Sequence, residues 1–189
     1  MTVGSYTGNG SASRSITGVG YVPEYAAVLP AGAQRANHRF AGMTRGFQFD
    51  NDTGSTTRVT GLGADGFTIG NSADVNTNGS TYHYITFNEV AGSVRSASYT
   101  GDNTTTRNLT GMGFQPDYAM IRANDTGTGR RGQHRPASQA DPNSLFYENQ
   151  AAINTGIKSL LGDGFQVGNN TAVNANGTTY HYLGFKDSP

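Results

Sequence analysis

The chain has no cysteine and no tryptophan. Without cysteine there is no disulfide to brace a small domain and no thiolate nucleophile. Stability must come from packing, oligomerisation or docking onto a partner, and the redox compartment stays open. Charge is scarce as well: 14% of residues are charged, and 13 basic side chains balance 13 acidic ones. With no basic surplus to neutralise phosphates, a nucleic-acid partner is not expected. No apolar run approaches the roughly 18 residues of a membrane span, so no membrane association is expected. The opening Met1-Thr2-Val3-Gly4 lacks the charged and apolar leader of a secretion signal. Those features lead to the expectation of a soluble protein. The apolar fraction, 34%, is low, yet aromatics make up 10% and glycine occurs 27 times. That much aromatic content argues against disorder and gives the aromatic residues much of the core.

What the chain does have, it has twice. Tyr6-Thr7-Gly8-Asn9 returns as Tyr99-Thr100-Gly101-Asp102, and Thr81-Tyr82-His83-Tyr84 returns as Thr179-Tyr180-His181-Tyr182. The spacing is 93 residues from Arg14/Arg107 to Tyr25/Tyr118, 96 at His38/His134, and 98 from Phe49/Tyr147 to Phe87/Phe185. This is a tandem repeat of one domain-sized unit, expected over residues 1–90 and 91–189. The second copy carries five extra residues between Tyr118 and Tyr147. Insertions of that kind are tolerated in surface loops, which places a variable loop at Asn124-Asp125-Thr126-Gly127-Thr128-Gly129.

Short β-branched and aromatic runs separated by Gly, Asn, Asp and Thr clusters, with no helical periodicity, predict an all-β fold. The expected architecture is two homologous β-sandwiches of jelly-roll-like type. Strands are expected in the first copy near Val3 to Tyr6, Arg14 to Thr17, Tyr25 to Leu29, Gly46 to Phe49, Arg58 to Leu62, Gly66 to Ile69 and Thr81 to Phe87, with counterparts in the second. Asn78-Gly79 and Asn176-Gly177 supply turn residues of the hairpin kind, so the runs at Gly66 and Thr81 are expected as neighbours. Alternation puts His83, Ile85 and Phe87 on one face of the last strand and Tyr82, Tyr84 and Thr86 on the other. With few polar positions, that strand is expected at the centre of its sheet, one face in the core and the other against a second layer, a partner copy or a neighbouring subunit. Asp65 and Asp163 fall in Asp-Gly-Phe turns, where their carboxylates would cap backbone N–H groups.

No catalytic constellation emerges, so no enzyme is expected. All four histidines fall in matched pairs, His38/His134 and His83/His181. No pair has metal-ligand spacing within a copy, and no cofactor or metal is expected. His83 and His181 read as partly buried structural residues. His38-Arg39 and His134-Arg135 lie in less regular stretches, which suits either a contact to a partner or a loop held by hydrogen bonds. Asp50-Asn51-Asp52-Thr53-Gly54 superficially resembles a calcium loop, but the second copy has Glu148-Asn149-Gln150-Ala151-Ala152 instead and no acidic residue closes the loop. No Gly-x-Ser-x-Gly elbow is present.

One family resemblance runs through both copies. Gly113-Phe114-Gln115-Pro116-Asp117-Tyr118-Ala119-Met120-Ile121-Arg122, then Asp163-Gly164-Phe165, Val173-Asn174 and Asn176-Gly177-Thr178-Thr179-Tyr180, closing at Phe185, resembles a repeat module of tailed-bacteriophage structural proteins. The first copy matches through Gly20-Tyr21-Val22-Pro23-Glu24, Asp65-Gly66-Phe67, Val75-Asn76 and Tyr82. The family usually carries Trp where this chain has Ala27/Met120 and Ile85/Leu183, which weakens a sugar-stacking site. The resemblance implies a virion β-sandwich, from a family with no well-established enzymatic activity.

Three functions follow as expectations. The first is a capsid decoration protein on the outer virion surface, partnered by the major capsid protein or other virion proteins and forming a homo-oligomer. The second is a module binding a host-surface glycan or receptor, and the third a subunit of a tail, baseplate or extracellular filament. Partner contacts are assigned to His38, Arg39, Tyr82 and Tyr84 and their counterparts His134, Arg135, Tyr180 and Tyr182. Partner-specific functions are assigned to the loops after Phe49 and after Arg122, which differ between copies.

Overall fold

Strands form where β-branched and aromatic residues alternate with small polar ones, because a pleated chain sends successive side chains to opposite faces. The first repeat does this in β1 (Thr2–Thr7), β2 (Arg14–Thr17), β3 (Tyr25–Pro30), β4 (Asn37–Phe40), β5 (Phe47–Gln48), β6 (Val59–Gly63) and β7 (Gly66–Ile69). A single helical turn, α1 (Ala73–Asn76), then leads into β8 (Thr81–Phe87). The second repeat follows the same series: β9 (Val94–Thr100), β10 (Arg107–Thr110), β11 (Tyr118–Ala123), β12 (Gln133–Pro136), β13 (Leu145–Phe146), β14 (Ile157–Leu161), β15 (Gly164–Val167), α2 (Thr171–Asn174) and β16 (Thr179–Phe185). The structure, a computed structural model, describes residues 1–127 and 130–187. Thr128 and Gly129 of the expected variable loop lie outside the described residues.

The fold is all-β and its strand pairs are antiparallel. Two compact units are present, Met1–Phe49 with Gly54–Asn88, and Asp50–Thr53 with Glu89–Pro189. Unit 1 holds a five-stranded sheet in the order β1-β8-β3-β4-β5 and a three-stranded sheet, β2-β7-β6. Unit 2 repeats this as β9-β16-β11-β12-β13 and β10-β15-β14. First pairs with last and second with second-last, β1 with β8 and β2 with β7, while β3, β4 and β5 follow one another as sequential antiparallel neighbours.

Each core is filled from both sheets of its unit. In unit 1, Tyr6, Ala26, Val28 and Tyr82 of the larger sheet meet Ile16, Val59, Phe67 and Ile69 of the smaller. In unit 2 the corresponding cluster includes Ile121, Tyr180, Tyr182, Leu109, Ile157, Phe165 and Val167. Each fully buried side chain of this size contributes about 1.5–3 kcal/mol. Aromatics carry much of the packing: Phe67 meets Tyr84 edge-on at 5.2 Å, and Phe165 meets Tyr182 at 5.1 Å.

β8 and β16 are central in their sheets, flanked by β1 and β3 and by β9 and β11. Two expectations are corrected. β7 and β8 are not neighbours but lie in different sheets. The reason is the segment between them: Ser72 caps α1, and the Asn78-Gly79 turn, with Gly79 at φ 80°, sends the chain from one sheet to the other. His38-Arg39 and His134-Arg135 are not in irregular stretches but in β4 and β12, paired with β3 and β11. These strands lack an apolar alternation because buried Asn37 and Gln133 and the two arginines occupy their core-facing positions. The extra residues of the second copy divide between two connections: 31–36 becomes 124–132, and 41–46 becomes 137–144.

Candidate functional site

Tyr82 and Tyr180 alternate into the sandwich, and both are wholly buried. Tyr82 stacks on Tyr6 at 5.3 Å; its hydroxyl donates to the Ala73 carbonyl at 2.7 Å and accepts from the Thr77 N–H at 2.9 Å. Tyr180 stacks on Tyr99 at 5.3 Å, donates to the Thr171 carbonyl at 2.6 Å and accepts from the Ala175 N–H at 2.8 Å. Both tyrosines therefore lock a one-turn helix to the sheet. Burial raises the pKa of the Tyr180 hydroxyl, with the Ala175 hydrogen bond opposing. Tyr84 packs on Phe67 and over Gly4, where a Cβ would run into its ring. Tyr182, also buried, has its pKa raised by desolvation, with Arg95 opposing. None of the four presents an aromatic face to a partner or a sugar, because the alternation turns them to the side that closes on the smaller sheet.

His38 is wholly buried against aromatic rings. It stacks on Phe49 at 4.3 Å and lies 5.7 Å from both Tyr25 and Phe40. His134 repeats the arrangement, stacked on Tyr147 at 4.4 Å and tilted against Tyr118 at 5.6 Å. The Tyr118 and Tyr147 hydroxyls meet at 2.6 Å. Burial lowers the His134 pKa, and a hydrogen bond with the Phe146 backbone opposes it. His83 and His181 part company: His83 is exposed and His181 buried.

Arg39 and Arg135 act as brackets. Arg39 donates to the Val59 carbonyl at 3.2 Å and to the Met43 carbonyl, tying β4 to β6 and to its own turn. Arg135 donates to the Gln139 carbonyl at 2.7 Å, to the Asn143 and Ile157 carbonyls, and to the Asp141 carboxylate. Burial lowers both guanidinium pKa values, with Asp141 opposing at Arg135. Each borders a shallow cleft, 300 Å³ beside Arg39 with Pro23 and Leu62, and 370 Å³ beside Arg135 with Gln115 and Leu160. The clefts repeat because the bracket repeats. Backbone acceptors already occupy the arginine donors, which leaves little to direct at a ligand.

Asp65 and Asp163 cap as their turns predict. Asp65 accepts from Gly18 N–H at 2.9 Å and Gly20 N–H at 2.6 Å; Asp163 accepts from Gly111 at 3.0 Å and Gly113 at 2.6 Å. These glycines stand at φ between 80° and 91°, where only glycine is comfortable. The N–H donors hold both carboxyls below the usual range.

Sequence reasoning missed one residue. Arg122 is wholly buried and donates to the Asp50 carbonyl at 2.7 Å and the Asp52 carbonyl at 2.6 Å. Desolvation pushes its pKa down to about 10, with the charges of Asp52, Asp50, Asp125 and Glu148 opposing. The loop that superficially resembles a calcium loop thus serves a guanidinium. The signal lay in the copies themselves, since Arg122 replaces Leu29 and acidic Asp52 replaces Gln150.

Among the described residues, no group of three or more His, Asp or Glu could hold a metal ion. No described helix is long and apolar enough to cross a membrane. The fold and its repeated brackets define an all-β tandem-repeat protein. No family model matches the chain, and no curated protein or solved structure is significantly similar to it.

Proposed function

We propose that this chain is a non-enzymatic structural protein of a tailed-bacteriophage particle, a decoration protein seated on the outer capsid surface against the major capsid protein. The observation that carries the reading is the use of the shared polar side chains. Tyr82/Tyr180, Arg39/Arg135, Asp65/Asp163 and the buried Asn76/Asn174 all bond to their own backbone. A repeat whose common polar groups serve its own scaffold presents a shape rather than a reaction centre. Enzymes instead aim perturbed titratable groups into a cleft. The resemblance of Gly113 to Arg122 and of Asp163-Gly164-Phe165 to phage repeat modules supports the same reading. Exposed Val3, Val22 and Val90 supply apolar contact points suited to a lattice neighbour.

Electron cryomicroscopy of particles from the phage that encodes the chain tests the proposal. Density for paired sandwiches on the outer face of the capsomers is the expected result. Density confined to the tail or to a separate filament would overturn the capsid assignment.

A further inference from the structure

The tetrapeptide Asp50–Thr53 lies between β5 and β6 of the first repeat in sequence but belongs to the second compact unit. There its carbonyls receive Arg122. Arg122 projects to the face of its sheet turned away from the sandwich core, in register with His181 on β16, which is in turn paired with Ser98 on β9. On that face Met120, Leu183, Arg122 and His181 are all buried.

The same face of unit 1 is uncovered along one matching row, Leu29, His83 and Ser5, while in the neighbouring row Ala27 is buried, Ile85 half-buried and Val3 exposed. Leu29 holds the place of Arg122, in register with His83, which is in turn paired with Ser5. Leu29 is 44% exposed, Val3 is 63% exposed, and His83 is exposed. Meanwhile the counterpart of the tetrapeptide, residues 148–151, stays with the unit that carries it, and Asn149, Gln150, Ala151 and Ala152 are exposed. One row of that face goes uncovered while the tip of the corresponding loop is exposed.

Loop and face differ from their counterparts in matched ways. Where the receiving residue is Arg122, the loop reads Asp50-Asn51-Asp52-Thr53-Gly54-Ser55. Where it would be Leu29, the loop reads Glu148-Asn149-Gln150-Ala151-Ala152-Ile153. The second acid has become an amide, Thr53 and Ser55 have become Ala151 and Ile153, and Gly54 has become Ala152. A guanidinium calls for oxygen acceptors with negative charge nearby, while an isobutyl group calls for methyls. The remaining acid, Glu148, is paired with Arg131.

We propose that the Leu29 face of one molecule receives the 149–152 loop of a second copy of this chain. The interface is heterologous, joining head to tail, so it repeats from molecule to molecule and gives a ring if the rotation closes and a filament if it does not. So small an apolar strip lies at the weak end of specific interfaces, with a Kd on the order of 10–1000 µM. The inference goes beyond the virion reading and does not need it: self-association of a chain absent from particles would keep this proposal and overturn the other.

Sedimentation velocity on the purified chain, from micromolar to millimolar concentration, tests the proposal. The wild type is expected to gain mass with concentration. Leu29→Asp and, separately, the double variant Ala151→Asp with Ala152→Asp are each expected to stay monomeric with unchanged circular dichroism and melting temperature. Mixed one to one, the two variants are expected to form a heterodimer and nothing larger, because each keeps one intact half of the contact. If Leu29→Asp alters the melt, Val3→Asp on the same strip supplies the readout in its place. A wild type that stays monomeric throughout, a folded face variant that still assembles, or a mixture that stays monomeric would overturn the proposal.

Discussion

Tyr6 and Tyr82 stack at 5.3 Å and send both hydroxyls to the same turn of helix, Tyr6 to the Val75 carbonyl at 2.7 Å and Tyr82 to the Ala73 carbonyl at 2.7 Å. Tyr99 and Tyr180 do the same at Val173 and Thr171. The stacked pair is a hinge-pin between the central strand and the turn that lets the chain change sheets. Removing only the Tyr82 hydroxyl, in Tyr82→Phe, leaves the Ala73 carbonyl and the Thr77 N–H without this partner. The expected loss is about 1–3 kcal/mol. Tyr82→Ala is expected to cost about 3–5 kcal/mol through the cavity it leaves. Chemical denaturation of both variants checks the order, and a neutral Tyr82→Phe would contradict it.

Asp65 and Asp163 connect acidity to stability. Their carboxyls are held below the usual value by the glycine N–H groups. A depressed carboxyl contributes stability that is whole above its unfolded pKa of about 3.9 and is lost as pH falls through the folded value. Asp102 behaves alike, lowered to about 2, chiefly by hydrogen bonds from Thr104. Thermal melts are therefore expected to drop steeply below about pH 4. Asp65→Ala and Asp163→Ala are expected to lower the melting temperature at neutral pH and to flatten that acid slope.

His134 works in a different window. Its pKa lies below the ordinary 6.5, first because it is buried. The unfolded chain then binds a proton before the folded one does, so stability is whole above about pH 6.5 and erodes as pH falls toward the folded pKa. Urea midpoints for the wild type are expected to fall between about pH 7 and about pH 5, and those of His134→Phe to fall less. Equal slopes would contradict the account.

Gly66 and Gly164 open the strands that pair with β2 and β10, at φ of 146° and 143°. A Cβ at either would run into the carbonyl oxygen of Ile16 or Leu109. Gly164→Ala is expected to cost at least about 1–3 kcal/mol from strain alone, and denaturation curves measure it.

Arg122 holds the Asp50–Thr53 tetrapeptide. Arg122→Ala removes the donors to the Asp50 and Asp52 carbonyls, so hydrogen exchange in peptides spanning 50–53 is expected to accelerate while exchange in β15 and β16 stays slow. Unchanged exchange at 50–53 would contradict the role given to Arg122.

The repeat, the all-β class and most strands were legible because glycine turns and aromatic alternation report directly on backbone and burial. β4 and β12 were hidden because polar side chains fill their core-facing positions: Asn37 with Arg39, and Gln133 with Arg135. Alternation rules read such residues as solvated. The same blindness put Tyr82 and Tyr180 at a partner surface, since a hydroxyl bonded to a helix carbonyl looks in sequence like a hydroxyl meant for solvent. Arg122 was hidden for another reason, as its partners lie 72 and 70 residues away in sequence. The contrasts with Leu29 and, at Asp52, with Gln150 announced it.

Quantitative mass spectrometry of purified phage particles tests the central claim most directly. The account predicts this chain in fixed, high proportion to the major capsid protein, as a surface lattice requires. Its absence from the particle, or its presence only at the few copies of a tail component, would contradict it.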